Sequence, residues 1–218
     1  MSDLLVFLTL EVVFLIFCVI TILIILRTYF ENKEFIYVGL IVFFAALLFN
    51  SIFRVTNLFL PELESILVIG ERLSFSNIVA LIIFDIQLLF FFYLKKLIKL
   101  YFLPLIASLY IGYGLSLNAS LIFFISYAVV IGFIIPVILL REGRKTRNGL
   151  AFGLGLFFLL YGLSKMIQVP IIPELLRIAA IIVCTLAVLE FFDKFLFQDK
   201  EEKEKIQGTW ISKLTTKK

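Results

Sequence analysis

The chain has 218 residues, 62% of them hydrophobic and 17% charged, with a mean hydropathy of +1.13. A soluble domain is usually about 45–50% apolar, so this composition excludes an ordinary soluble protein and indicates a protein in lipid. The formal net charge of +4 does not indicate nucleic-acid binding, because the basic residues cluster between apolar segments rather than on one face.

Apolar segments follow one another along almost the whole chain. They predict transmembrane helices at 4–26, 35–53, 78–94, 100–116, 120–140, 150–168 and 174–192. A segment of about 20 residues crosses a hydrocarbon core of about 30 Å as an α-helix, and these runs lack the alternation of barrel strands. The predicted fold class is therefore all-α, a polytopic bundle of about seven helices in residues 1–193. The first segment has no basic start or small-residue cleavage site, which favours a retained helix over a signal peptide.

The connections between these segments alternate in charge. The basic residues of the alternate connections are Arg27 and Lys33, then Lys95, Lys96 and Lys99, then Arg141, Arg144, Lys145 and Arg147. Short basic connections stay in the cytoplasm. The sequence therefore predicts a multi-pass protein of the cell membrane with its N-terminus outside. Residues 194–218 then form a charged cytoplasmic tail, which is either a frayed solubilising segment or a helical continuation of helix seven, and residues 62–70 suggest a short helix on the outer surface.

Four ionisable side chains lie inside the predicted helices: Glu11, Asp85, Lys165 and Arg177. Each costs roughly 2.5–3.5 kcal/mol at the centre of a membrane helix, so each requires a compensating interaction. The predicted orientation places all four in the outer half of the bilayer. Lysine and arginine can extend to the interface, whereas short carboxylates cannot. We therefore expect at least one of Glu11 and Asp85 to contact Lys165 or Arg177.

Polar residues near these charges extend the set. Tyr161, Lys165 and Gln168 share a face of helix six, and Asn50, Ser51 and Arg54 lie at the outer end of helix two. The candidate site, an outward-facing polar pocket, consists of Glu11, Asp85, Lys165, Arg177, Gln168, Asn50 and Arg54. The alternative is that the basic residues reach the interface while the carboxylates are neutral or satisfied by backbone and hydroxyl groups.

Catalytic patterns are weak. The chain contains no histidine, which removes the commonest metal ligand and general base. Cys18 and Cys184 lie in different predicted helices and form no C-x-x-C pair, and no phosphate-binding loop is present. We therefore expect no enzymatic activity, no metal and no cofactor.

Glycines are concentrated in the sixth helix, at Gly149, Gly153, Gly155 and Gly162. Small residues at this spacing let helices approach closely, either within one bundle or between copies of the chain. We expect the protein to lie in the lipid bilayer and not to bind nucleic acid. Through this helix it could also bind a membrane-protein partner or form a homo-oligomer. Pro136 predicts a kink or an end in the fifth helix.

These features favour a non-enzymatic sensor or receptor-like module that binds a ligand through its outer half. The alternatives are a small transporter or a structural subunit of a larger membrane complex. Seven helices with an outside N-terminus occur in many membrane receptors, but no residue motif assigns the chain to a family.

Overall fold

The computed structural model describes residues 2–60, 75–117, 121–167, 169 and 171–196. Within these ranges all regular secondary structure is helical. The helices are α1 (Ser2–Asn32), α2 (Phe35–Phe59), α3 (Phe75–Leu94), α4 (Leu103–Ser116), α5 (Leu121–Val129, continued through a π-helical turn at Val130–Ile134 into Ile135–Thr146), α6 (Gly149–Met166), α7 (Ile172–Val188) and α8 (Phe191–Phe195), with a 3₁₀ turn at Ile98–Leu100.

Five helices of the described ranges, α1, α2, α3, α5 and α6, are long and apolar enough to cross a membrane. Helix α4 is apolar but has 14 residues, and α7 has 17. Each predicted helical range overlaps one of these helices, although most of the observed helices begin or end outside the predicted bounds. Many large apolar side chains are exposed on the bundle, among them Leu23 and Ile122 at 61% and 78%. Such a surface is expected of a protein whose solvent is lipid.

Helix ends differ from the predicted ones at both ends of the chain. Helix α1 continues to Asn32 and ends where Lys33 adopts a positive φ of 54°. Of the two alternatives for the tail, the continuation of helix seven does not occur in the described residues, because α7 ends at Val188 and Glu190 has a φ of 57°. The chain then turns back onto α6, where the Asp193 carboxylate accepts a hydrogen bond of 2.7 Å from the Gly149 N–H. The rest of the tail and the predicted surface helix at 62–70 lie outside the described residues.

The helices pack in chain order, and α1 also packs against α7, which closes the bundle. A hydroxyl pair, Thr21 and Thr185 at 2.8 Å, joins α1 to α7. Aromatic rings fill the centre: Phe43 of α2 lies 5.5–5.6 Å from Phe157 and Phe158 of α6, measured between ring centroids. Ring pairs at this separation add about 0.5–1.5 kcal/mol each beyond their buried area.

The π-helical turn in α5 lies just before Pro136. Pro136 has no N–H, so the C=O of Ile131 lacks the donor that a π-helix would place five residues later. The amide of Gln87, on α3, supplies the missing donor, with its Nε2 2.6 Å from that oxygen. Both Gln87 and Ile131 are buried. The kink expected at Pro136 is therefore a π turn, which a side chain from a neighbouring helix stabilises.

Glycines bring α5, α6 and α7 into close approach. A Cβ on Gly162 would lie 2.6 Å from the backbone oxygen of Gly132, and one on Gly155 would lie 2.8 Å from the backbone nitrogen of Leu140. A Cβ on Gly153 would lie 2.2 Å from the side chain of Ala187, on α7. These glycines of the sixth helix therefore face neighbouring helices of the same chain.

Candidate functional site

Four charged side chains form a closed ring between α1, α2 and α7. The Glu11 carboxylate lies 2.8 Å from Arg54 Nη1 and 2.6 Å from Arg177 Nη1. Glu174 closes the ring, with its two oxygens 3.0 Å from Arg54 Nη2 and 2.7 Å from Arg177 Nη1. The Ser51 hydroxyl also donates to Glu11. We call Glu11, Arg54, Glu174 and Arg177 the charge ring.

The charge ring is buried and neutral. Glu11 is 0% exposed and Arg177 2%, whereas the Arg54 side chain is 31% exposed. Two carboxylates and two guanidinium groups cancel, so no net charge is transferred into the bundle. The Arg177 guanidinium also lies 3.9 Å from the centroid of the Phe14 ring, a favourable cation–π geometry. The attraction between these paired charges offsets the hydration free energy that ionised groups lose in an apolar environment.

The ring includes two predicted site residues in the expected contact, Glu11 with Arg177, and adds Arg54 to them. It also includes Glu174, which the sequence analysis did not select. Glu174 lies in the first turn of α7, three residues before Arg177, so the two side chains share a helix face. That spacing to a predicted intramembrane arginine is the signal that could have identified it.

Asp85 lies elsewhere, between α3, α4 and α5, so its expected place among the other charges is wrong. Its Oδ1 accepts hydrogen bonds from the Ser108 hydroxyl at 2.5 Å and the Tyr127 hydroxyl at 2.9 Å. In the described part of the chain Asp85 forms no ion pair. Hydroxyl groups satisfy this carboxylate, which is the alternative that the sequence analysis kept open.

Lys165 is separate from both groups. It lies in the last turn of α6, and its Nζ is 5.3 Å from the centroid of the Tyr161 ring. No ion pair of Lys165 occurs among the residues that the structure describes. Gln168, predicted to share its face, lies outside the described residues.

Lys165 lines a cavity of about 310 Å³ between α2, α3, α5 and α6. The polar side chains of this Lys165 cavity are Lys165, Tyr161, Asn50, Asn77 and Gln87. Its walls are otherwise mostly apolar and include Phe84, Phe124 and Phe158. Ligand sites in proteins are usually cavities of about 300–1,000 Å³ with apolar walls and a few placed polar groups.

The cavity and the charge ring meet at α2. Asn50 lines the cavity, while the next residue, Ser51, donates to Glu11 of the ring. Asn50 is 6% exposed, and its Oδ1 has no hydrogen-bond partner in the described ranges. Of the seven predicted site residues, the structure therefore places Glu11, Arg54 and Arg177 in the ring, Asn50 and Lys165 at the cavity, and Asp85 at neither.

The described residues contain no group of three or more side chains suited to hold a metal ion. No protein-family model matches the chain, and no curated protein or solved structure shows significant similarity to it.

Proposed function

We propose that this protein is a seven-helix integral protein of the cell membrane that binds a small molecule in the Lys165 cavity and transmits its presence to α7 and the cytoplasmic tail. The observation that carries the proposal is the cavity itself, in which one lysine and several amides line a space with aromatic walls. A bundle that served only as a scaffold would gain stability by filling this space, because a cavity costs packing energy.

Topology is part of the proposal. We infer that α4 and α7 also cross the bilayer, since at about 1.5 Å per residue their lengths are roughly 21 and 26 Å, and the bilayer can thin locally around short helices. The basic connections support an N-terminus outside the cell. Single cysteines at Leu60 and Thr146, in a background without Cys18 and Cys184, test the orientation with an impermeant maleimide on intact cells. Labelling at 146 but not at 60 would reverse it.

The route from cavity to tail passes through α2 and α6. Both helices line the cavity, α2 contributes Arg54 to the charge ring, and α6 packs on α7. A ligand that shifts α2 or α6 therefore changes the environment of α7. The ring supports this role because it ties α7 to two other helices through side chains with a defined geometry.

Ligand retention tests the proposal directly. Protein purified from native membranes should carry a small molecule, detectable by mass spectrometry, that is lost when Ala128→Trp fills the cavity. Ala45→Trp is the matched control, because Ala45 is exposed on α2 and its substitution leaves the cavity open. Equal retention by both variants, or no retained compound in the wild-type protein, would contradict a ligand site at this cavity.

A small transporter is the second candidate, and Asp85 favours it. A carboxylate inside a membrane helix with only hydroxyl partners among the described residues resembles, chemically, the proton-binding groups of transport proteins. A transporter would move the retained compound into proteoliposomes while amide exchange in residues 189–196 stays unchanged. A sensor would show the opposite pattern, and a stoichiometric protein partner without any small molecule would favour a complex subunit.

A further inference from the structure

We infer that the Lys165 cavity takes a small apolar carboxylate, with its carboxylate on Lys165 and its apolar body between the aromatic walls. The inference rests on the proposed ligand-binding function and adds the chemical class of the ligand. Charge, shape and the amide of Asn50 each support it.

The charge of Lys165 favours an anionic ligand. The four members of the charge ring neutralise one another, so they contribute no net charge to the neighbouring cavity. Lys165 has no ion-pair partner in the described ranges, and it is the charged side chain of the cavity lining. An ammonium group offers three donors and no acceptor, so an anionic oxygen is its natural partner. A cationic ligand would meet like charge at this position.

The cavity is also polarised along its length. Asn77 lies near the start of α3 and Lys165 near the end of α6, whereas Gln87 lies ten residues further along α3, where its amide already donates to the Ile131 oxygen. At about 1.5 Å per residue, this separation is roughly 15 Å. Between these levels the walls carry the rings of Phe84, Phe124 and Phe158. A ligand with one charged end and an apolar body therefore matches the cavity better than a uniformly polar one.

Volume limits the size of the ligand. At about 310 Å³ the cavity lies at the lower end of the range of about 300–1,000 Å³ for ligand sites, which suits a small ligand. A phospholipid is far larger than this space. The chemistry shared by the possible sources is one carboxylate on a short alkyl or aromatic body, whether a free acid or a lipid breakdown product.

Asn50 adds a hydrogen-bond donor to the cavity. It lines the same cavity as Lys165, and its amide nitrogen can donate to a carboxylate. Its buried Oδ1 atom would gain no hydrogen bond from such a ligand, because a carboxylate offers acceptors and no donor.

The test uses three compounds with one common body: 4-phenylbutyrate, 4-phenylbutanamide and 4-phenylbutylamine. Thermal unfolding of the purified protein in neutral nanodiscs is followed with a thiol-reactive dye, which reports unfolding because Cys18 and Cys184 are both 0% exposed. A compound that binds only the folded state raises the midpoint in proportion to its occupancy. We expect 4-phenylbutyrate to stabilise the wild-type protein and the other two compounds to have at least tenfold weaker apparent affinity.

Substitution of Lys165 tests whether the stabilisation by 4-phenylbutyrate depends on this lysine. Lys165→Gln should weaken the apparent affinity for 4-phenylbutyrate at least tenfold, whereas Lys99→Gln, at an exposed lysine at the opposite end of the bundle, should leave it unchanged. The amide compound should bind Lys165→Gln and the wild-type protein equally.

Other results overturn the inference in distinguishable ways. Equal binding of acid and amide by the wild-type protein would remove the preference for an anion but leave the cavity as a ligand site. Preferential binding of the amine would reverse the assigned charge. If anionic lipid in the nanodisc stabilises the wild-type protein over Lys165→Gln while 4-phenylbutyrate at millimolar concentration does not, Lys165 contacts lipid phosphate and the inference is wrong. The proposed function would then still be judged by ligand retention in Ala128→Trp.

Discussion

Breaking the charge ring at Arg177 should be the most damaging single change among its four members. Arg177→Met removes two charge-assisted hydrogen bonds, of about 1.5–3 kcal/mol each, and leaves Glu11 and Glu174 to share Arg54. The ring then carries a net charge of −1 in a buried position. Loss of one partner from a buried network costs about 3–5 kcal/mol, so we expect a loss of unfolding free energy in that range.

Two comparisons give this prediction its discriminating power. Arg54→Met also leaves a net charge of −1, but it should cost less than Arg177→Met, because the Arg54 side chain is 31% exposed and water can replace part of its contacts. Glu11→Gln combined with Arg177→Met restores a neutral pair, Glu174 with Arg54. The double variant should therefore lose less than the sum of its single variants, with a coupling of about 1–3 kcal/mol.

Unfolding by titration with a denaturing detergent measures these differences. Glu31→Gln is the control, because the Arg27–Glu31 pair is a surface pair with side chains 82% and 59% exposed, and its removal should lie within experimental error. Strict additivity of the two single substitutions, or a smaller loss in Arg177→Met than in Arg54→Met, would refute the reasoning that the ring acts as one buried unit.

Three further predictions follow from the packing and the hydrogen bonds. Gly162→Ala should destabilise the protein by about 1–3 kcal/mol, because its Cβ would lie 2.6 Å from the Gly132 oxygen, whereas Gly112→Ala, whose Cβ would have an ordinary contact at 3.8 Å, should be neutral or stabilising in the same unfolding titration. Gln87→Leu should cost about 1–3 kcal/mol and increase amide exchange near the π turn, because a buried carbonyl loses its donor; unchanged exchange there would contradict that role. Asp85→Asn should keep the fold, since the amide oxygen still accepts from hydroxyl groups, and a change in ligand response or uptake without a change in melting would assign Asp85 to function rather than packing.

Much of the helical layout could be predicted from the sequence, because hydropathy over about 20 residues reports the solvent of a segment directly. The ends of the helices were harder to predict from the sequence. Helix α1 extends beyond its apolar run to Asn32, and the exposed Arg27–Glu31 pair lies along this extension. Helix α7 ends early because the Asp193 carboxylate binds the start of α6, a contact between residues that are 44 positions apart. No local pattern contains that information.

The candidate site, like the fold, could be predicted only in part from the sequence. The cost of burying charge led to the expectation that at least one of Glu11 and Asp85 contacts Lys165 or Arg177, and Glu11 does contact Arg177. The same argument failed for Asp85, because hydroxyl groups of Ser108 and Tyr127 satisfy it, and hydroxyls are too common in membrane helices to be recognised as partners in advance. Glu174 was missed because it lies at a helix start, where an acidic residue already has a favourable position near the helix N-terminus.

The neighbouring positions of ring and cavity lead to one final prediction, which separates binding from transmission. Asn50 lines the cavity and Ser51 binds the ring, so a ligand that moves this turn of α2 changes the geometry at Glu11 and hence at α7. In the Glu11→Gln, Arg177→Met double variant the cavity lining is intact but the link from α1 to α7 through the ring is gone. We expect this variant to bind 4-phenylbutyrate with wild-type affinity, whereas the ligand-dependent change in amide exchange of residues 189–196 should be reduced, because only the Arg54–Glu174 pair still joins α2 to α7 through the ring. A full response in the double variant would show that the signal passes through that remaining pair or through the packing of α6 on α7, and not through Glu11 and Arg177.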